Sequence, residues 1–333
     1  MSQHHRDYGE SSDPTYAAAA AKRAPAGRPA RAAAGELVRA RGLRLGLGLG
    51  PAIAIVGGFL VLPLGIIAVY SFLEAHPYGG VRPEFTLDAY IQFLYTERLD
   101  GTLAFSTAYL EIFLRSVVLA LWATLLCLLL GFPAAYYIAR QPPSRRNLFV
   151  LLVTIPFWTN LLIRTYTWIL ILRDQGLVNN ALTGLGIVDE PLRLLYTPGA
   201  ITVGLVYSYL PFMVLPIYAS IEKLDPRLIE AAHDLYATRL DALRRVILPL
   251  SLPGIAAGCT LVFIPSLGTF VAPDLLGGAK NLMIGSLIQM QFSSSRNWPF
   301  GSASALILMT LILIALAFYA VAAGRGNRGA LYR

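Results

Sequence analysis

Six apolar runs dominate this chain and constrain its fold more than any other feature. They cover about residues 45–72, 112–139, 148–172, 200–220, 246–271 and 304–323. A helix that crosses a bilayer needs about 20 mostly apolar residues, and each run reaches that length. Within hydrocarbon every backbone N–H and C=O must find a partner inside the protein, which a helix achieves within its own segment. The runs therefore predict an all-α polytopic membrane protein with six transmembrane helices. Composition agrees, with 56% apolar and 14% charged residues, against about 45–50% and about 25% in soluble domains. So little polar surface excludes a soluble multi-domain enzyme, and two cysteines exclude a disulfide scaffold. Cys127 and Cys259 both fall inside runs and read as small buried apolar residues.

The segments between the runs set the sidedness. Nineteen of the 27 basic residues fall in 1–44, in the loops after the second and fourth runs, and in the C-terminal end. Seven fall in the alternate segments: Arg82, Arg98, Arg115, Arg173, Arg193, Lys280 and Arg296. This bias predicts that both termini and the loops after runs two and four are cytoplasmic. The outer segments carry ten acids, so that face is slightly acidic, which reads as depletion of Lys and Arg. The net charge of +8 does not point to nucleic acid, because the basic residues are not interleaved with aromatics on one polar face.

The chain is expected to divide into a disordered basic tail over 1–44, a six-helix membrane domain over 45–323 and a short tail over 324–333. The first tail is Ala-rich, holds Pro14, Pro25 and Pro29, and shows no apolar periodicity. The apolar run after it is too long for the core of a cleaved signal peptide. His4 and His5 read as solvated.

Soluble-type chemistry is absent from the sequence. There is no G-x-x-x-x-G-K-[ST] phosphate loop, no H-E-x-x-H and no G-x-S-x-G. Gly46-Leu47-Gly48-Leu49-Gly50 lacks a preceding strand and opens an apolar run, so it is not a dinucleotide site. No metal or cofactor is expected in this chain.

The most informative stretch is the cytoplasmic loop over 221–245. Asp225 is placed to cap a helix and Pro226 suits its first position. Leu228, Ala231, Ala232 and Leu235 recur at helical spacing and give one apolar stripe. A second helical piece follows, with Leu240, Leu243, Val246 and Ile247 apolar, and Pro249 and Pro253 mark entry into the fifth run. Such a short amphipathic helix is either a connector or a knob that fills a groove on a soluble partner.

Glu230-Ala231-Ala232, followed at a distance by Val246-Ile247-Leu248-Pro249, resembles the E-A-A loop of ABC-transporter permeases. In that family the loop forms a coupling helix seated in a cleft of the cytoplasmic ATPase. The resemblance implies ATPase-coupling roles for Glu230, Ala231, Ala232, Asp234, Leu235, Tyr236, Leu248 and Pro249. The family pattern has Gly where this chain has Tyr236, and Gly permits a positive-φ turn that Tyr disfavours.

The resemblance extends over most of 50–323 and is strongest to the spermidine/putrescine (PotB-like) permease family. It is carried by the blocks 156–168, 209–218 and 263–278, by Met283-Ile284-Gly285 and by Asn297-Trp298-Pro299-Phe300-Gly301. It implies a type I importer permease (MetI-like) fold in the bacterial cytoplasmic (inner) membrane. It also implies four kinds of partner: a cytoplasmic ABC ATPase dimer holding ATP and Mg, a second permease subunit (PotC-like) or a second copy, an extracytoplasmic solute-binding protein, and the lipid bilayer. The same blocks occur in permeases for other solutes, so a phosphonate, a sulfate-like anion or ferric ion is the alternative cargo. A membrane enzyme or receptor is the alternative of another class.

For the substrate path, Arg164 is the one formal charge deep in a run, and intramembrane charge marks a functional site by default. At helical spacing Phe157, Leu161, Arg164 and Trp168 share a face. Like charges repel, so an arginine suits a polycation poorly as a direct ligand. Its expected role is to shape the path while pairing with a carboxylate or backbone carbonyls. Aromatic faces suit polyamines through cation–π contact, which makes Phe157, Trp158, Tyr166, Trp168, Tyr207, Tyr209 and Phe212 candidates beside the alternative of interfacial anchors. Asp274, after Pro273, either faces the cargo amines or the binding protein or is a solvated acid. Pro211, Pro216, Pro265 and Gly268 are placed to kink their helices or to leave backbone groups for the path, and Gly254 and Gly258 to permit close helix contact.

Overall fold

A computed structural model of the chain describes residues 50–51, 55–97, 103–278 and 280–330. The expected tail over 1–44, with His4 and His5, lies outside the described residues. The chain divides into two compact units, 1–64 and 65–333. The described part of the first is apolar helix, opening α1 (Ile55–Tyr70). Its large side chains are turned outward, with Phe59 83% exposed.

The second unit continues α1 from Gly65 and then makes two small antiparallel hairpins, which the apolar pattern did not announce. Strands β1 (Leu73–Ala75) and β2 (Val81–Phe85) pair with Ala75 opposite Val81. After the one-turn α2 (Asp88–Ile91), β3 (Tyr95–Glu97) and β4 (Leu103–Phe105) pair with Tyr95 opposite Phe105. Each strand is only three to five residues long, so the body of the molecule remains all-α.

Then follow α3 (Ala108–Ala139), α4 (Pro143–Thr154), a 3-10 turn over Ile155–Trp158, α5 (Leu161–Leu172) and α6 (Leu177–Gly184). Next come α7 (Pro198–Glu222), α8 (Pro226–Asp234), α9 (Arg239–Ala242), α10 (Leu248–Gly268), α11 (Ile284–Ser293) and α12 (Trp298–Ala330). Among the described residues four helices are long and apolar enough to cross a membrane, up to five if the bent pair is one span, and α1 is a shorter apolar helix. Six spans are compatible with that set.

Three boundaries differ from the sequence expectation. The third run is not one helix: its halves meet at 89°. Pro156 donates no backbone hydrogen bond, and the chain restarts at Asn160, whose side chain accepts from the Leu162 N–H at 2.8 Å. The second piece of the 221–245 loop is not separate from the fifth span. It runs as one helical stretch over Arg239–Gly268 through a π turn at Leu243–Ile247. The last helix starts at Trp298 and continues past residue 323 to Ala330, so most of the expected tail is helical.

Helices α3, α7 and α10 form the centre. Cys127 and Ala135 of α3, Met213, Val214 and Ile217 of α7, and Val262 of α10 pack in one buried cluster. Lipid tails are as apolar as leucine, so close van der Waals packing, rather than escape from water, holds such helices together. Glycines provide it: a Cβ on Gly258 would lie 2.8 Å from the Met213 sulfur, and one on Gly254 2.5 Å from the Ser220 Cβ. The Ser116 hydroxyl donates to the Ile112 carbonyl at 2.7 Å and accepts from the Ile284 N–H at 2.8 Å, tying α3 to α11. Leu114, Leu121, Leu129 and Leu130 of α3 are more than half exposed, as expected of a face that meets lipid.

Candidate functional site

The loop after α7 is built from strong local signals. The Asp225 carboxylate accepts from the Arg227 N–H at 3.0 Å and Pro226 occupies the first helical position, so α8 starts where expected. It ends after Asp234, and Tyr236 turns the chain at φ 59°. The turn that glycine would make freely is therefore made by a tyrosine, at a cost of about 1–3 kcal/mol in such a conformation. Thr238 and Asp241 then form a reciprocal capping box that opens α9. The Thr238 hydroxyl and backbone N–H, both donating to the Asp241 carboxylate, hold that acid below the usual carboxylate range.

The apolar residues of α8 split between two faces. Ile229 packs against the helical core. Leu228, Ala231 and Leu235 face out, Leu235 being 81% and Tyr236 97% exposed. Glu230 lines a cleft of about 410 Å³ with His233, Arg140, Arg146 and Glu222. Arg146 and Glu222 form an ion pair at 2.6 Å, joining the first turn of α4 to the end of α7. From sequence Arg146 counts only toward sidedness and Glu222 only as an acid beside the 221–245 loop; nothing in one sequence pairs positions 76 apart. Beyond the turn Ile247 is buried, whereas Leu248 and Pro249 are exposed at the start of α10.

The candidate path residues are brought together in part. The break at Pro156 removes Phe157 from the helix that carries Arg164 and Trp168, so the expected shared face does not form. Phe157 instead packs edge-on against Phe212, with ring centroids 5.1 Å apart, and Phe212 lies 6.2 Å from Tyr209. Tyr209 donates to the Pro265 carbonyl at 3.4 Å. Trp168 and Tyr207 make a second edge-on pair at 5.6 Å. Trp158 and Tyr166 are exposed, at 85% and 55%, and join neither group. Asp274 is exposed in a π turn over Pro273–Gly277.

Arg164 is only 9% exposed. Its Nε and Nη1 find no hydrogen-bond partner among the described residues, so no carboxylate or carbonyl there pairs with either nitrogen. Cys127 is fully buried and Cys259 half-buried; both are free.

Residues 127–325 match the family described as the binding-protein-dependent transport system inner membrane component. The chain belongs to this family. It is a transport component of the inner membrane rather than an enzyme. Among its relatives is the spermidine/putrescine transport system permease protein PotB of Escherichia coli, 46% identical over 78% of this chain and 91% of that protein. The protein of the same name from Haemophilus influenzae is 41% identical over 78% of this chain and 87% of that protein. The fold is shared with a chain of the bacterial alginate ABC transporter solved in complex with alginate pentasaccharide-bound periplasmic protein. That chain matches at a TM-score of 0.63 and 20% identity, over 84% of this chain and 93% of the solved one.

Proposed function

We propose that this chain is a permease subunit of an ATP-driven polyamine importer, carrying spermidine or putrescine by alternating access. The carrying observation is the 46% identity to a spermidine/putrescine permease over 78% of the chain. Two features of the molecule support the reading. The outward stripe Leu228, Ala231, Leu235 and Tyr236 is an unpartnered apolar knob on a short helix, the shape that fills a groove on a soluble partner. In this reading the partner is the ATPase, which brings the ATP and Mg. Glu230, Ala232, Asp234, Leu248 and Pro249 complete the coupling region. The aromatic group Phe157, Tyr209 and Phe212 supplies faces for alkylammonium groups, with Trp168 edge-on to Tyr207 and Trp158, Tyr166 and Asp274 as outlying contacts. A second permease subunit or a second copy closes the path, an extracytoplasmic binding protein delivers the cargo, and both termini are cytoplasmic.

A second reading keeps the fold and changes the cargo to an anion such as sulfate. Arg164 favours it: its Nε and Nη1 are buried with no partner among the described residues, and a buried cation without a counterion is costly. Uptake of labelled spermidine into proteoliposomes holding the complete importer separates the two. Spermidine uptake that putrescine but not sulfate competes away is expected; no spermidine uptake alongside uptake of labelled sulfate overturns the polyamine reading. Arg164→Gln sharpens the same assay. Wild-type uptake by that variant would remove Arg164 from the path.

A further inference from the structure

The end of α7 away from the 222–245 loop carries a basic pocket that the path and the coupling region leave unused. Arg173, Arg193 and Lys280 line a cavity of about 640 Å³ together with Asp174, Tyr196 and Gly278. A fourth cation reaches this corner, because the Arg115 guanidinium donates to the Lys280 carbonyl at 2.9 Å. Four of the seven basic residues in the outer segments are thus gathered in one place.

The pocket is a built feature. Asn281 donates from its amide to the carbonyls of Tyr196 and Gly277, both at 3.0 Å. The Tyr196 N–H donates to the Leu276 carbonyl at 2.9 Å. These bonds hold Tyr196 at φ 62°, the left-handed region that a tyrosine avoids unless its surroundings impose it. Asn179, 1% exposed, brackets the other wall by donating to the Arg173 and Leu192 carbonyls and accepting from the Leu192 N–H. Asp174 tempers the charge, but neither it nor the three cations form an ion pair among the described residues. The guanidinium forks therefore remain available to an incoming anion.

A polyamine is repelled by such a pocket, so it is no wall of a cation path. A carboxylate suits it, through two-pronged arginine contacts and the lysine point charge. The lining comes from loops beyond the helix ends, separated from the 222–245 loop by the length of α7, about 37 Å at 1.5 Å per residue. We propose that this pocket receives acidic side chains on the surface of the extracytoplasmic solute-binding protein and sets the rate and register of its docking. The proposal rests on the reading above, in which such a protein delivers the cargo. Exposed charges of this kind act on association rate and salt dependence more than on final affinity.

The test uses the complete importer in nanodiscs containing anionic lipid, with spermidine-loaded binding protein added at about 50 and about 300 mM NaCl, where screening lengths differ about twofold. Wild-type association is expected to slow steeply with salt. The double variant Arg193→Glu/Lys280→Glu should associate on the order of ten- to a hundredfold more slowly at low salt and lose most of the salt dependence. Its basal ATPase activity should match wild type, which shows that it is assembled. The neutral pair Arg193→Gln/Lys280→Gln should fall between them. Unchanged rate and salt slope in both variants overturn the proposal while leaving the polyamine reading standing. Loss of wild-type association in phosphatidylcholine-only nanodiscs, matching the variants, also overturns it, because the anion is then a lipid headgroup. Absence of any binding and uptake by the wild-type importer overturns both.

Discussion

The two ends of α7 solve different problems with different residues. At the Glu222 end exposed Leu235 and Tyr236 project just past α8, whose start the Asp225 carboxylate caps. At the Pro198 end the exposed features are cationic, and Asn179 and Asn281 hold the loops that carry Arg173, Arg193 and Lys280. Both ends place a tyrosine in the left-handed region, Tyr236 at one and Tyr196 at the other. Tyr196 is held there by hydrogen bonds through Leu276 and Asn281, whereas Tyr236 is 97% exposed. In the proposed reading one end inserts apolar surface into a partner and the other attracts one by charge.

Substitutions at either end can break this contrast. The largest effect is expected from Ala231→Arg, which puts a long charged side chain on the outward face of α8. Spermidine uptake by the reconstituted importer should fall at least about tenfold, the loss that about 1.4 kcal/mol of docking energy produces. Retained uptake would show that the knob is only a connector.

A smaller effect is expected from Tyr236→Gly. Glycine enters the positive-φ turn without penalty, so amide exchange over 231–238 should slow by up to about tenfold as local opening becomes rarer. Faster exchange would show that the tyrosine ring itself holds the turn. The matching change Tyr196→Gly should slow exchange less, because hydrogen bonds already fix that loop.

The smallest effect concerns Asp241. Its carboxyl is held below the usual range by Thr238. The stabilisation is therefore present above the ordinary carboxylate value and is lost as pH falls through the lowered one. Exchange protection over 238–242 should drop in that acidic window in wild type, and Thr238→Ala should abolish the pH dependence. An identical profile in the variant would remove the capping box as its cause.

How much was readable from sequence follows the same division. Asp225, Pro226, Thr238 and the stripe at Leu228 and Ala231 act on neighbours a few residues away, so the loop was legible. The apolar runs were legible too, because span length is a local property. The break in the third run was missed, although Pro156 and Asn160 carried the signal, since apolar content continued across it. The Arg146–Glu222 pair, the Phe157–Phe212 contact and the basic pocket join positions distant in sequence, and no local pattern announces them. Arg164 was singled out correctly as a buried charge, but its Nε and Nη1 find no partner among the described residues.

In the proposed reading Tyr236 and Tyr196 mark opposite docking ends of the molecule. A photo-crosslinking amino acid placed at each position in the assembled importer tests it most directly, with the ATPase and the binding protein identified by mass. The expected result is ATPase captured from position 236 and binding protein from position 196. Binding protein captured at 236, or no ATPase adduct there while uptake is intact, would contradict it.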